Sequence, residues 1–192
     1  MRCFILLITV AVTCLSAAAL QAADDVPVER AQLTLRVTGL FAPDREADLR
    51  ELMMLIPDVA LVSVDYLQAE AVFEYEPNKA FDKAKPDKIP ERIDNAIRTN
   101  SRGTFGAKPL SGLAKDKLQN VDISVVGLDC KGCALAAYES VAKVDGVERA
   151  TASFKTGLVT ARFDPAKTDR AALEAALVKA RVELKKPLET TP

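Results

Sequence analysis

The feature that most constrains this chain is that it contains itself twice. Laid without a gap, residues 31–80 face residues 119–168, and about seven positions in the fifty are identical, among them Gly39/Gly127, Leu40/Leu128, Val59/Val147, Pro77/Pro165 and Lys79/Lys167. The apolar pattern and the turn residues keep step over the same span, which is what an internal repeat requires. Each copy must therefore fold by the same rules. Leu33, Leu35 and Val37 alternate with polar residues, as do Val121, Ile123 and Val125, so each copy opens on a half-buried strand. An amphipathic helix follows, with Leu49, Leu52, Met53 and Ile56 on its apolar face in the first copy and Leu135, Tyr138, Val141 and Ala142 in the second. Met53 and Met54 are both expected to pack. "PDV" and "DGV" then turn each chain into two strands, 59–66 with 69–75 and 147–154 with 158–163, and Gly157 supplies a hairpin corner.

A second helix is expected at 169–180, capped by Asp169, and its counterpart near 90–99 arrives later because "FDKAKPDK" is inserted as a surface loop. Short strands near 104–108 and 182–184 close the units. The order βαββαβ, twice, predicts an α+β chain of two tandem ferredoxin-like domains, each a four-stranded antiparallel sheet with two helices on one face. The expected boundaries are 30–109 and 119–186, with a polar linker at 110–118 and a tail at 187–192.

The first 22 residues read as a secretory signal peptide: Arg2, an apolar run of about a dozen residues, then small residues around Ala19 and Ala22. That run is short of the ~20 residues needed to span a bilayer. The mature chain is expected to be exported and periplasmic, with no membrane insertion. Cys3 and Cys14 leave with the leader, so Cys130 and Cys133 remain of four cysteines.

Composition then removes function classes. With 26 basic against 27 acidic residues there is no basic footprint for nucleic acid. With no histidine, neither a Ser-His-Asp triad, a Cys-His dyad nor a His-ligated zinc site can be built within the chain. The chemistry left is in "GLDCKGC", Gly127 to Cys133, in the loop between the first strand and first helix of the second copy. Helix N-terminal amides favour thiolate there, and two thiolates across a two-residue spacer suit a soft ion. A redox dithiol and an oxidised pair in an interaction protein are the alternatives the residues leave open.

In this context "GLDCKGC", followed by a helix, "VDGV", a hairpin and "FDPAKTDRAALEAAL", resembles the heavy-metal-associated domain family over about residues 119–185. The resemblance implies a binding protein rather than an enzyme, with Cys130 and Cys133 holding Cu(I), Zn(II), Cd(II) or Hg(II) and passing it to a metal-transporting ATPase or other metal acceptor. Family members usually carry Met where Leu128 stands, and copper chaperones of bacteria usually carry Gly-Tyr near Arg181 and Val182. Asp129 resembles the residue that precedes the first cysteine in zinc, cadmium and lead exporters, and it is read either as a third metal ligand or as a helix cap. In the first copy Ala42 and Arg45 stand in the cysteine positions, so that copy resembles the family without its chemistry and is expected to serve as a scaffold or docking surface.

Overall fold

The computed structural model describes residues 30–81 and 84–185. The expected leader at 1–22 and tail at 187–192 lie outside the described residues. The first unit contains β1 (Ala31–Thr38), α1 (Arg45–Met53), β2 (Val59–Asp65), β3 (Glu70–Tyr75), the short α2 (Pro77–Ala80), α3 (Ile89–Ser101) and β4 (Gly106–Lys108). The second contains β5 (Gln119–Val126), α4 (Lys131–Ala142), β6 (Val147–Ser153), β7 (Leu158–Phe163), α5 (Arg170–Lys179) and β8 (Glu183–Leu184). The sheets run β2-β3-β1-β4 and β6-β7-β5-β8, every neighbouring pair antiparallel. This is the expected α+β architecture of two ferredoxin-like units.

Strand alternation decides which face is covered. In β5, Val121, Ile123 and Val125 are buried beneath α4 and α5, while Asn120, Asp122 and Ser124 point to the helix-free side. Along α4 the buried stripe is Ala134, Ala137, Tyr138 and Val141. In α1 Leu49, Leu52 and Met53 are buried, and Ile56 joins them just past the helix end. Met54 departs from its expected role: the helix stops at Met53, and the turn that follows leaves Met54 76% exposed. At the end of the insertion a 3-10 turn at Pro86–Lys88 leads directly into α3, where Pro90 sits in the first helical turn.

The two copies repeat in detail. The amide of Val37 donates to the Ala69 carbonyl at 2.7 Å, and that of Val125 to the Gly157 carbonyl at 2.8 Å, the same bond one repeat apart. Both hairpin corners are left-handed, with φ +62° at Gly157 and +54° at Ala69. Helices α3 and α5 also end alike: the amide of Gly103 reaches the Arg98 carbonyl and that of Val182 the Leu177 carbonyl, with Arg102 and Arg181 left-handed between them. Glycine is the residue such a helix end prefers, because a side chain there crowds its own carbonyl. Arg181→Gly is expected to stabilise the chain by about 0.5–1 kcal/mol, the relief of strain exceeding glycine's extra unfolded-state freedom. A urea midpoint unchanged or lowered in that variant would overturn the expectation.

The units are joined by more than residues 109–118. The loop after β1 in the first unit lies along β6, the edge strand of the second, where the amide of Ala152 donates to the Phe41 carbonyl at 3.1 Å. An edge strand presents unpaired backbone groups, and this contact satisfies one of them. Phe41 is only 4% exposed and belongs to the second unit's core, with its ring 5.7 Å from that of Tyr138. The Tyr138 hydroxyl accepts from the Gly39 amide at 2.7 Å. Gly39 needs to be glycine: φ is +96°, and a Cβ would stand 2.2 Å from the Thr104 carbonyl oxygen. Arg149 of β6 completes the junction, donating to the carbonyls of Leu40 at 2.8 Å and Tyr66 at 2.9 Å while its guanidinium lies 4.8 Å from the centre of the Tyr66 ring. Arg36 pairs with Glu148 across the same boundary.

Candidate metal centre

The loop from β5 to α4 is fixed at both ends. Gly127 turns the chain at φ +77°, and Leu128, 4% exposed, drops into the core as a packing anchor. Cys130 then takes extended backbone angles as the N-cap of α4, and its Sγ accepts from the Cys133 amide at 3.1 Å. Sulfur therefore does here what a serine or aspartate oxygen does at most helix starts, meeting a backbone donor that would otherwise lack a partner. Cys130 is exposed, while Cys133 lies half-buried on the edge of the second core.

Both cysteines are free thiols, with their sulfurs 2.7 Å apart. A metal–thiolate bond is about 2.3 Å, so an ion held linearly needs its two sulfurs about 4.6 Å apart and a tetrahedral ion about 3.8 Å. An ion held by both sulfurs would therefore have to spread the pair. Cys130 is exposed and its loop residue Gly132 carries no side chain, so the opening displaces solvent rather than core.

The two thiols are not equivalent. Hydrogen bonding from the Cys133 thiol, and then from the Cys133 amide, pulls the Cys130 thiol below its ordinary range, against partial desolvation and the negative charge of Asp129. The reciprocal bond from Cys130 pushes the Cys133 thiol up, with burial adding to it. The helix start thus favours thiolate at Cys130, the capping sulfur, and not at Cys133. Iodoacetamide at neutral pH is expected to label Cys130 first, with the preference fading as pH rises and Cys133 also ionises. Peptide mass mapping of partially alkylated protein checks this, and equal labelling of both sites at neutral pH would contradict it.

Asp129 is exposed, and the N-cap of α4 is Cys130 rather than Asp129. Among the described residues no three Cys, Asp or Glu side chains converge as a metal cage, so the structure brings the two sulfurs together and leaves the Asp129 carboxylate apart. The residue that sequence reading missed is Lys131, between the cysteines. Its Nζ lies 2.6 Å from the Asp44 carboxylate of the first unit, which lowers the Asp44 carboxyl and raises the lysine. In the first unit, Arg45 fills the place of Cys133, its guanidinium stacked 4.2 Å from the Phe105 ring and 5.3 Å from that of Phe41. A fixed cation at that position would repel a metal ion.

Comparison with known proteins agrees with the geometry of the second unit. Residues 122–181 match the family model described as the heavy-metal-associated domain. The chain is 38% identical over 50 residues to a mercuric transport protein periplasmic component of Pseudomonas fluorescens, and 36% identical over 50 residues to one of Serratia marcescens. Each alignment takes 26% of this chain and 55% of the relative, so the chain spans about half the length of the curated relatives it matches. Among solved structures, oxidized MerP from Ralstonia metallidurans CH34 is similar at 31% identity over 35% of this chain and 94% of that chain, with a TM-score of 0.34. No helix among the described residues is long and apolar enough to cross a membrane. Residues 122–181 of this chain, with paired free thiols at the start of their first helix, are a heavy-metal-associated domain.

Proposed function

We propose that this chain is an exported heavy-metal carrier that holds one soft ion between Cys130 and Cys133 and hands it on by thiolate exchange. The observation that carries the reading is the pair of free sulfurs at a helix start, one exposed and favoured as thiolate, within a segment that matches the heavy-metal-associated model. Two thiolates satisfy Hg(II) or Cu(I), which accept few ligands, and the likeness to mercuric transport components supports Hg(II) first. Zn(II) and Cd(II) seek further ligands, and Asp129 is the carboxylate proposed to supply one after reorientation.

Exchange proceeds through an intermediate in which an acceptor thiolate binds the ion beside Cys130 before Cys133 lets go. The acceptor is a thiol-bearing protein such as a metal-transporting ATPase. Export rests on the leader-like first 22 residues and on the likeness to periplasmic components of mercuric transport.

Titration of the reduced chain with Hg(II), Cu(I), Zn(II) and Cd(II) tests the reading. One equivalent should bind with a thiolate-to-metal absorption band, and Asp129→Ala should weaken Zn(II) while leaving Hg(II) unchanged. Absence of the band with every ion would end the proposal. The unequal thiols also favour a second reading, a redox dithiol. Insulin reduction separates the two: turnover by the chain supports the redox reading, and none supports the carrier.

A further inference from the structure

The helix-free face of the second sheet carries a feature the metal centre does not use. Where that face meets the β2–β3 hairpin of the first unit, a cleft of about 280 Å³ opens, with Tyr66 and Leu67 forming one wall and β5, β6 and β7 its floor. Two guanidinium groups line it, Arg149 and Arg162. Neither forms an ion pair among the described residues.

Arg149 is held by backbone carbonyls, which satisfy donors without cancelling charge. Arg162 is less satisfied: its Nε is buried and has no hydrogen-bond partner. A buried cationic donor left unpaired is costly, and nearly all such groups in folded proteins have a partner. The hydroxyls of Thr151 and Thr160 lie on the same floor, 2.6 Å from each other, so one of them keeps a proton to donate outward. Asn120 adds an amide. One carboxylate, Asp122, also lines the cleft, leaving the lining with a net positive charge of one.

We propose that this cleft binds a small oxyanion, a phosphate or carboxylate group, in a charge-assisted hydrogen bond with the Arg162 guanidinium and with the threonine hydroxyls beside it. The volume suits a compact anion carrying at most a short apolar part, which Leu67, 74% exposed at the rim, would cover. Because Tyr66 and Leu67 come from the first unit and Arg162 from the second, the anion bridges both units. The site is separate from the thiol pair and does not depend on metal.

The test is a titration of the full reduced chain with sodium phosphate, and separately with sodium acetate, at constant ionic strength set with chloride so that general screening is unchanged. Saturable shifts of the Thr160, Arg162 and Tyr66 backbone amide resonances are expected with at least one of the two anions, and the anion that saturates names the group recognised. Arg162→Gln should weaken that binding about ten-fold or more, and Thr160→Val should weaken it measurably, while Hg(II) titration stays as in the parent chain. Non-saturating drift with both anions, or an affinity unchanged in folded Arg162→Gln and Thr160→Val variants, would overturn the proposal.

Discussion

Cys130→Ser is expected to leave the fold intact and to reduce Hg(II) affinity by at least about 100-fold. The two halves of that result have separate physical causes. Serine is among the best N-cap residues, so its hydroxyl takes over the bond that the Cys130 sulfur now accepts from the Cys133 amide, and α4 starts as before. A hydroxyl, however, does not ionise near neutral pH and is a poor ligand for a soft ion. Loss of groups that merely support a metal ligand costs 10–100-fold in affinity, so loss of one of two direct ligands costs more. Cys133→Ser should lose comparable affinity. Cys130→Ala should differ in stability alone, losing about 1 kcal/mol with the cap. Competition titration against a small dithiol, together with urea unfolding, measures both quantities. Parent-like affinity in either serine variant would remove the paired-thiolate basis of the proposed function.

Phe41→Ala is expected to destabilise the chain by about 3–5 kcal/mol, the range for emptying a buried aromatic site. The ring is 4% exposed, stacks at a tilt on Tyr138 and lies under the Arg45 guanidinium, so its removal takes away contacts on both sides of the junction. Against a total stability of roughly 5–15 kcal/mol for an ordinary domain, that is a large share. Part of the loss should appear as uncoupling, with the two units no longer unfolding together. The expected signs are a lower urea midpoint and faster tryptic cleavage at Lys115 and Lys117, which join the units. Phe41→Leu, which refills most of the volume, should cost far less. A midpoint within error of the parent would show that the junction contributes little to stability.

How far the sequence could be read depended on whether a residue obeyed the repeat. Strand alternation and the buried faces of the helices follow from each copy alone, and Leu35, Val37, Ile123 and Val125 are buried as expected. That Cys130 and Cys133 meet at a helix start was legible because their spacing is local to one loop. The junction was not, because its residues break the repeat. Phe41 aligns with Asp129, Arg149 with Leu61 and Tyr138 with Arg50. Each mismatch resembles ordinary divergence until the two units are set side by side, when they become one contact. Met54 fails for a smaller reason: periodicity places a residue on a helical face but does not say where the helix stops. Lys131 was passed over as a spacer, since its partner Asp44 lies in the other copy.

The connection between β4 and β5, residues 109–118, gives the junction a final property. A short tether holds its two ends at an effective concentration in the millimolar range. Two units that associate in trans with a dissociation constant of about 0.1 mM would then be closed roughly nine-tenths of the time in cis. A contact too weak to join separate proteins is sufficient to keep this pair assembled. The copy without the thiol pair therefore stands as a resident neighbour of the thiol loop, and the acceptor proposed above would meet that loop with one flank already occupied.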